Sequence, residues 1–151
     1  MLWNRDRSVI LSQVSTRIIM ALGIALAAIL PFLCTGDFFH GRAFISAENI
    51  LLIMPAYYAF CVPAYVALIA LDRLLAAVKR SEVFTAKNVR LLRIISWASF
   101  AAAAVLAISS YVSITFFALA IIATFFGIIL RAMKNLFAAA VELQEVNKLT
   151  I

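Results

Sequence analysis

Apolar and polar positions in this chain fall into long blocks. Residues 18–36 carry no charge, and neither do residues 49–71. A basic stretch follows. The chain then turns apolar again over 94–109 and over 114–130. Each run approaches the roughly 20 residues that a helix needs to cross a hydrocarbon core. An amphipathic soluble helix would interleave charges every third or fourth position. These runs do not, so the pattern predicts four membrane spans at about 18–36, 49–71, 94–109 and 114–130. Residues 1–17, 72–93 and 131–151 hold the charged segments. The fold predicted is a single all-α membrane domain over 1–151, a four-helix bundle.

Local signals refine the helices. Thr85 has the side chain of an N-cap, whose hydroxyl accepts from an otherwise free N–H. Phe84 before it and Val89 inside form a candidate hydrophobic staple. Asn88 stands where a full capping box would place Glu or Gln. Helix three should therefore run from Ala86 to about Ser109, and the helix before it should continue past Asp72 and Arg73 to Lys79 and Arg80. Asp72 is expected to pair with a basic neighbour, on the Arg73 side or at Lys79. The short link near 109–113 makes spans three and four antiparallel neighbours. Beyond Arg131 and Lys134, Leu136, Phe137, Ala140, Val141 and Leu143 keep a helical pattern with Glu142, Gln144 and Glu145 interleaved. A helix to Glu145 would reach on the order of 20 Å past Arg131, or lie along the interface.

Composition agrees with lipid as the solvent. Apolar residues make up 66% of the 151, against the usual ~45–50%. Mean hydropathy is +1.09. The net charge of +6 is read as topology, with no direct nucleic-acid binding, because basic residues beside apolar runs orient spans. Arg5, Arg7 and Arg17 precede span one. Arg73, Lys79, Arg80, Lys87, Arg90 and Arg93 lie between spans two and three, and Arg131, Lys134 and Lys148 follow span four. Arg42 alone falls in an outer link, a bias of twelve against one among the 13 basic residues. Both termini are expected in the cytoplasm, with a cytoplasmic hairpin between spans two and three and a cytoplasmic helical extension. Residues 18–36 are taken as a retained span, because no A-x-A cleavage site follows them and Pro31-Phe32-Leu33-Cys34 is a poor lipoprotein box.

Candidate chemistry is sparse. Asp37, His40 and Glu48 read as an ordinary solvated loop. Cys34 and Cys61 fall at different depths, and a disulfide needs close Cα atoms. No Ser-His-Asp, HExxH, GxSxG or P-loop pattern is present. The chain is read as non-enzymatic, without cofactor or metal. Pro55 and Pro63 interrupt span two, and Tyr58, Cys61 and Tyr65 share one helical face there. That face either lines a small cavity or packs against a neighbouring helix through tyrosine hydrogen bonds. Lys87, Arg90 and Arg93 oppose the dipole at the start of helix three, at a cost of a few tenths to ~1 kcal/mol each. Anionic headgroups at the cytoplasmic face offset that cost, as would an acidic partner.

Two stretches carry a resemblance. One is Val83-Phe84-Thr85-Ala86-Lys87-Asn88-Val89-Arg90-Leu91-Leu92-Arg93-Ile94-Ile95-Ser96-Trp97. The other is the closing Glu142-Leu143-Gln144-Glu145-Val146-Asn147-Lys148-Leu149-Thr150-Ile151. Together they resemble the DUF2975 type of small four-span bacterial membrane proteins of unknown function, with their "PFT-x-x-N-x-x-x-L-R-x-I-G-W" run and acidic "D-L-T-I" ending. Val83 stands for the family's Pro, Ser96 for its Gly and Lys148 for its Asp. The resemblance implies a multi-pass protein of the bacterial inner membrane. Genes of that type often neighbour a short Cro/CI-type helix-turn-helix regulator. The first expectation is therefore a regulatory membrane protein that docks such a partner on Phe84, Thr85, Lys87, Arg90, Arg93, Glu142 and Glu145. Two alternatives stand beside it. One is a small-molecule or lipid binder, or transport accessory, using Tyr58, Cys61 and Tyr65. The other is a toxin-immunity or membrane-stress protein. A second copy of the chain is a further candidate partner.

Overall fold

A computed structural model describes residues 2–35, 47–80, 83–111 and 114–149, with side chains over 7–32, 53–80, 83–111 and 114–147. Four helices fill these residues: α1 (Leu2–Thr35), α2 (Ala47–Lys79), α3 (Ala86–Ile108) and α4 (Ile114–Leu149). A short 3₁₀ turn at Ser109–Tyr111 closes α3. All four helices are long and apolar enough to cross a membrane. The Asp37–His40 loop lies outside the described residues, as do the side chains of Cys34 and Glu48.

The helices run past the apolar blocks. The basic N-terminal segment forms the first turns of α1. Pro55 and Pro63 both lie inside an unbroken α2. The tail is continuous with span four to Leu149, about 27 Å beyond Arg131 at 1.5 Å per residue.

Neighbouring helices are antiparallel, and paired residues show it. Arg17, Met20 and Gly23 of α1 meet Asp72, Tyr65 and Tyr57 of α2 in that order. Phe84, just before α3, meets Phe137 of α4, and Ser96 of α3 meets Gly127. The start of α1, the end of α2, the start of α3 and the end of α4 therefore share one end, and the charged segments collect there.

Packing differs from a closed bundle. Among the described residues, extensive contact runs only between helices successive in the chain. α3 is the central element. Leu91, Leu92, Ile95, Ala98, Ala102, Ala103 and Leu106 are all buried on it. Leu91 and Ile95 join Ala70 of α2 in a core cluster, with Leu130 of α4 packed against it. Among the described residues, α1 makes extensive contact with α2 alone. Its Leu11, Leu22 and Phe32 are 73%, 63% and 81% exposed, an apolar surface that lipid can cover. The reason is composition. α3 is rich in alanine, and small side chains let helix axes approach closely where lipid gives no hydrophobic drive to associate. α1 presents bulky aliphatics instead.

Two glycines mark the closest approaches. A Cβ at Gly23 would lie 2.6 Å from the Tyr65 hydroxyl. A Cβ at Gly127 would meet three atoms of the Phe100 ring at 3.0, 3.1 and 3.1 Å. Gly127 also accepts a 2.9 Å hydrogen bond from the buried Ser96 hydroxyl. Gly127→Val should therefore push α3 and α4 apart. Overpacking of this kind costs about 1–3 kcal/mol. A lowered unfolding temperature in detergent is expected, with Gly127→Ala falling between it and the parent.

Candidate functional site

The turn from α2 into α3 is built by its own residues. Thr85 is the N-cap, with extended backbone (φ −128°, ψ 148°), and its hydroxyl accepts from the Asn88 N–H at 3.4 Å. The Asn88 amide nitrogen donates to the Val83 carbonyl at 2.9 Å. Asn88 is 0% exposed. It thus reaches back across the cap from the capping-box position, but as a donor to the Val83 carbonyl and not as an acceptor from the cap N–H. A short amide suits a buried position where a carboxylate would be costly. The ring of Phe84 lies 5.4 Å from that of Phe137 on α4. This contact joins the hairpin to the helix that continues beyond Arg131.

The predicted docking residues fall into three groups. Phe84 and Thr85 form the capped turn against α4. Lys87 and Arg90 are exposed on the first turns of α3, where no acidic residue offsets the dipole. Glu142 and Glu145 are exposed on the last turns of α4, beside Leu143 and Val146, themselves 65% and 56% exposed. No ion pair joins these acids to the hairpin cations among the described residues. Arg93 stands apart. It lines a polar pocket of about 310 Å³ with Ser96, Trp97, Arg131 and Lys134.

Span two resolves its two readings by geometry. Tyr58 donates to the Ala27 carbonyl at 2.8 Å, and Tyr65 donates to the Met20 carbonyl at 2.8 Å. Tyr57 donates to the Gly23 carbonyl at 3.3 Å. The tyrosine face therefore fastens α2 to α1. A cavity of about 420 Å³ lies between α2, α3 and α4, lined by Tyr57, Phe60, Leu106 and Phe126 among others, and by none of Tyr58, Cys61 and Tyr65. Cys61 is a free thiol. No group of metal-ligating side chains forms among the described residues.

Asp72 corrects an expectation. Its partner is Arg17 of α1, with Nε to Oδ1 at 3.1 Å, and not Arg73 or Lys79. Successive helix residues point to different sides, so Arg73 cannot face its neighbour's carboxylate. Lys79 lies two turns further along. The pair is partly exposed, at 65% and 26%. Pairs of that kind contribute ~0–1 kcal/mol, so its effect is mainly to fix how α1 lies along α2.

The residue-level reading missed Asn88, Phe137 and the meeting of Trp97 with Arg131. A signal existed for the last. Arg93 and Trp97 are spaced i, i+4, and Arg131 and Lys134 i, i+3, on antiparallel neighbours at one membrane edge.

The profile of the family described as "Protein of unknown function (DUF2975)" matches residues 17–151. The chain belongs to the DUF2975 family. No curated protein and no solved structure matches it. The DUF2975 motif run lies where the cap and the α3–α4 seam are built: Phe84, Thr85 and Asn88 form the turn, Leu92 and Ile95 are buried, and Ser96 and Trp97 bond to α4.

Asn88→Ala should destabilise the hairpin more than Thr85→Ala. Orphaning buried polar groups costs about 1–3 kcal/mol, and losing a cap typically costs ~1 kcal/mol. Faster cleavage between α2 and α3 in limited proteolysis is the expected readout.

Proposed function

We propose that this DUF2975 chain is a non-enzymatic regulatory protein of the bacterial cytoplasmic membrane. It has both termini inside and docks a small cytoplasmic partner at its basic end. Orientation rests on charge. The end shared by the start of α1, the α2–α3 turn and the end of α4 holds the basic segments, and the outer links hold Arg42 alone. Basic residues are retained on the cytoplasmic side.

The observation that carries the docking reading is the contact of Phe84 with Phe137. It joins the capped turn to the α4 extension, so that a preformed surface stands outside the apolar span. Exposed Lys87 and Arg90 lie on one part of it. Leu136, Leu143 and Val146 are exposed apolar positions around Glu142 and Glu145 on the other. Apolar anchors on a helix flanked by charges suit a small helical protein. The helix-turn-helix regulators encoded beside DUF2975-type genes supply the partner of first choice. Holding such a regulator at the membrane would keep it from DNA.

Two measurements test this. Lys87→Cys, in a chain with Cys34 and Cys61 replaced by Ser, should react with an impermeant thiol reagent only from the cytoplasmic side. The full chain in detergent should co-purify the product of the neighbouring regulator gene, and Lys87→Glu/Arg90→Glu or Leu143→Asp should reduce recovery. Absence of association, with an unchanged regulon on deletion of the membrane gene, would sink the reading.

A further inference from the structure

A second cation cluster, apart from Lys87 and Arg90, caps the basic end of the α3–α4 seam. Arg93, Ser96 and Trp97 of α3 and Arg131 and Lys134 of α4 line a hollow of about 310 Å³. The guanidinium of Arg131 sits 5.7 Å from the centre of the Trp97 ring. Among the described residues, no carboxylate lines the hollow. The ion pair of the described residues, Arg17 with Asp72, lies on the α1–α2 seam. Three like charges around one hollow repel each other, so the arrangement is suited to an anion.

The seam continues below this hollow. Trp97 meets Phe100 edge-on at 6.3 Å. Phe100, Ala104 and Ala107 of α3, with Phe117, Ile121 and Ile128 of α4, line an apolar trough of about 510 Å³. Steps of three and four carry α3 from Arg93 through Trp97, Phe100 and Ala104 to Ala107. Steps of three and four also carry α4 from Lys134 through Arg131, Ile128, Thr124 and Ile121 to Phe117. Such steps keep one face of a helix. The cationic hollow and the apolar trough therefore open on the same side of the same seam. The exposed alanines at 104 and 107 form the floor of the trough.

We infer that this seam is a binding site for one anionic phospholipid, with its phosphate held by Arg93, Arg131 and Lys134 and an acyl chain in the trough. Arginine forks match phosphate oxygens, and lysine adds a point charge. Trp97 stands among the cations at the end of an apolar run, the setting in which an amphipathic ring suits a membrane interface. A soluble phosphate would use the hollow and leave the trough empty. An apolar ligand would do the reverse. A phospholipid occupies both, and basic pockets between spans on the cytoplasmic side are suited to lipid headgroups. The site goes beyond the docking reading and depends only on the helices lying in a bilayer.

Native mass spectrometry of the full chain, loaded with phosphatidylglycerol or phosphatidylcholine of identical acyl chains, tests it. Phosphatidylglycerol should be retained in preference by on the order of tenfold or more, given the strength of anionic-lipid attraction to near-surface cations. Arg93→Gln/Arg131→Gln/Lys134→Gln should abolish that preference, and Lys87→Gln/Arg90→Gln should leave it. Arg93→Gln alone, at an exposed position, reports the same trend if the triple variant does not fold. Ala104→Phe should fill the trough and weaken retention of both lipids. Equal retention of the two lipids by the parent chain would overturn the inference. So would a preference that survives the triple variant, or one lost as fully in the Lys87/Arg90 variant. Displacement of bound phosphatidylglycerol by millimolar inorganic phosphate would make the hollow a soluble-anion site and would equally overturn it.

Discussion

The structure depends on how closely α3 can approach α4. The approach is set at Gly127, where the missing Cβ leaves room for the Phe100 ring and the backbone carbonyl receives the Ser96 hydroxyl. In lipid the apolar side chains of one helix gain little by leaving the solvent, since the solvent is as apolar as they are. Association has to come from contact and from polar groups with no better partner. A glycine opposite an aromatic ring supplies contact, and a buried serine opposite a carbonyl supplies the polar term. Such interhelical hydrogen bonds are worth only about 0.6 kcal/mol on average, so Ser96 orients the seam more than it stabilises it. α2 then packs on α3 through Ala70, Leu91 and Ile95, and α1 follows through the tyrosines of α2.

This order of dependence explains the different character of the two seams. Between α3 and α4, small residues and a glycine allow close packing. Between α1 and α2, three tyrosine hydroxyls reach helix carbonyls. A carbonyl already bonded within its helix keeps a second lone pair, so a tyrosine can bond there without unwinding α1. The Arg17–Asp72 pair closes the same seam at the basic end. α1 is thus attached along one side only, and its remaining faces are left to lipid.

Much of this was legible in the sequence because it follows from local rules. Uninterrupted apolar runs give helices of spanning length, and the Thr85 cap gives the start of α3 to the residue. The packing order was not legible. A four-span chain with short outer links suggests a closed bundle, and only the contrast between the alanines of α3 and the aliphatics of α1 hints at a row with α3 at its centre. The tyrosine face was read with two outcomes open, since i, i+3 and i+7 spacing places Tyr58, Cys61 and Tyr65 on one side without saying what that side meets. Asp72 was misassigned because proximity along the chain was taken for proximity in space. Asn88 looked like a weak capping box and proved to be a buried amide that donates to the Val83 carbonyl. That distinction needs the burial that α4 and the turn provide.

Charge at the basic end illustrates how one composition can serve several physical tasks. Twelve cations on one side are enough to orient four spans, and orientation would be met by any placement within those segments. Particular placements are therefore informative wherever they exceed that requirement. Arg17 exceeds it by meeting Asp72 across a seam. Arg131 exceeds it by lying over Trp97, with Arg93 and Lys134 around the same hollow. Lys87 and Arg90 exceed it in another way, by standing at a helix start where the dipole disfavours them. The first placement is answered within the chain by a carboxylate. The other two are not answered by any acid among the described residues, and they face different surroundings: the Arg93 group opens onto an apolar trough, whereas Lys87 and Arg90 lie beside a capped turn outside it. The lipid proposal draws on the first environment and the docking proposal on the second, so the two rest on different cations of α3 and can fail independently.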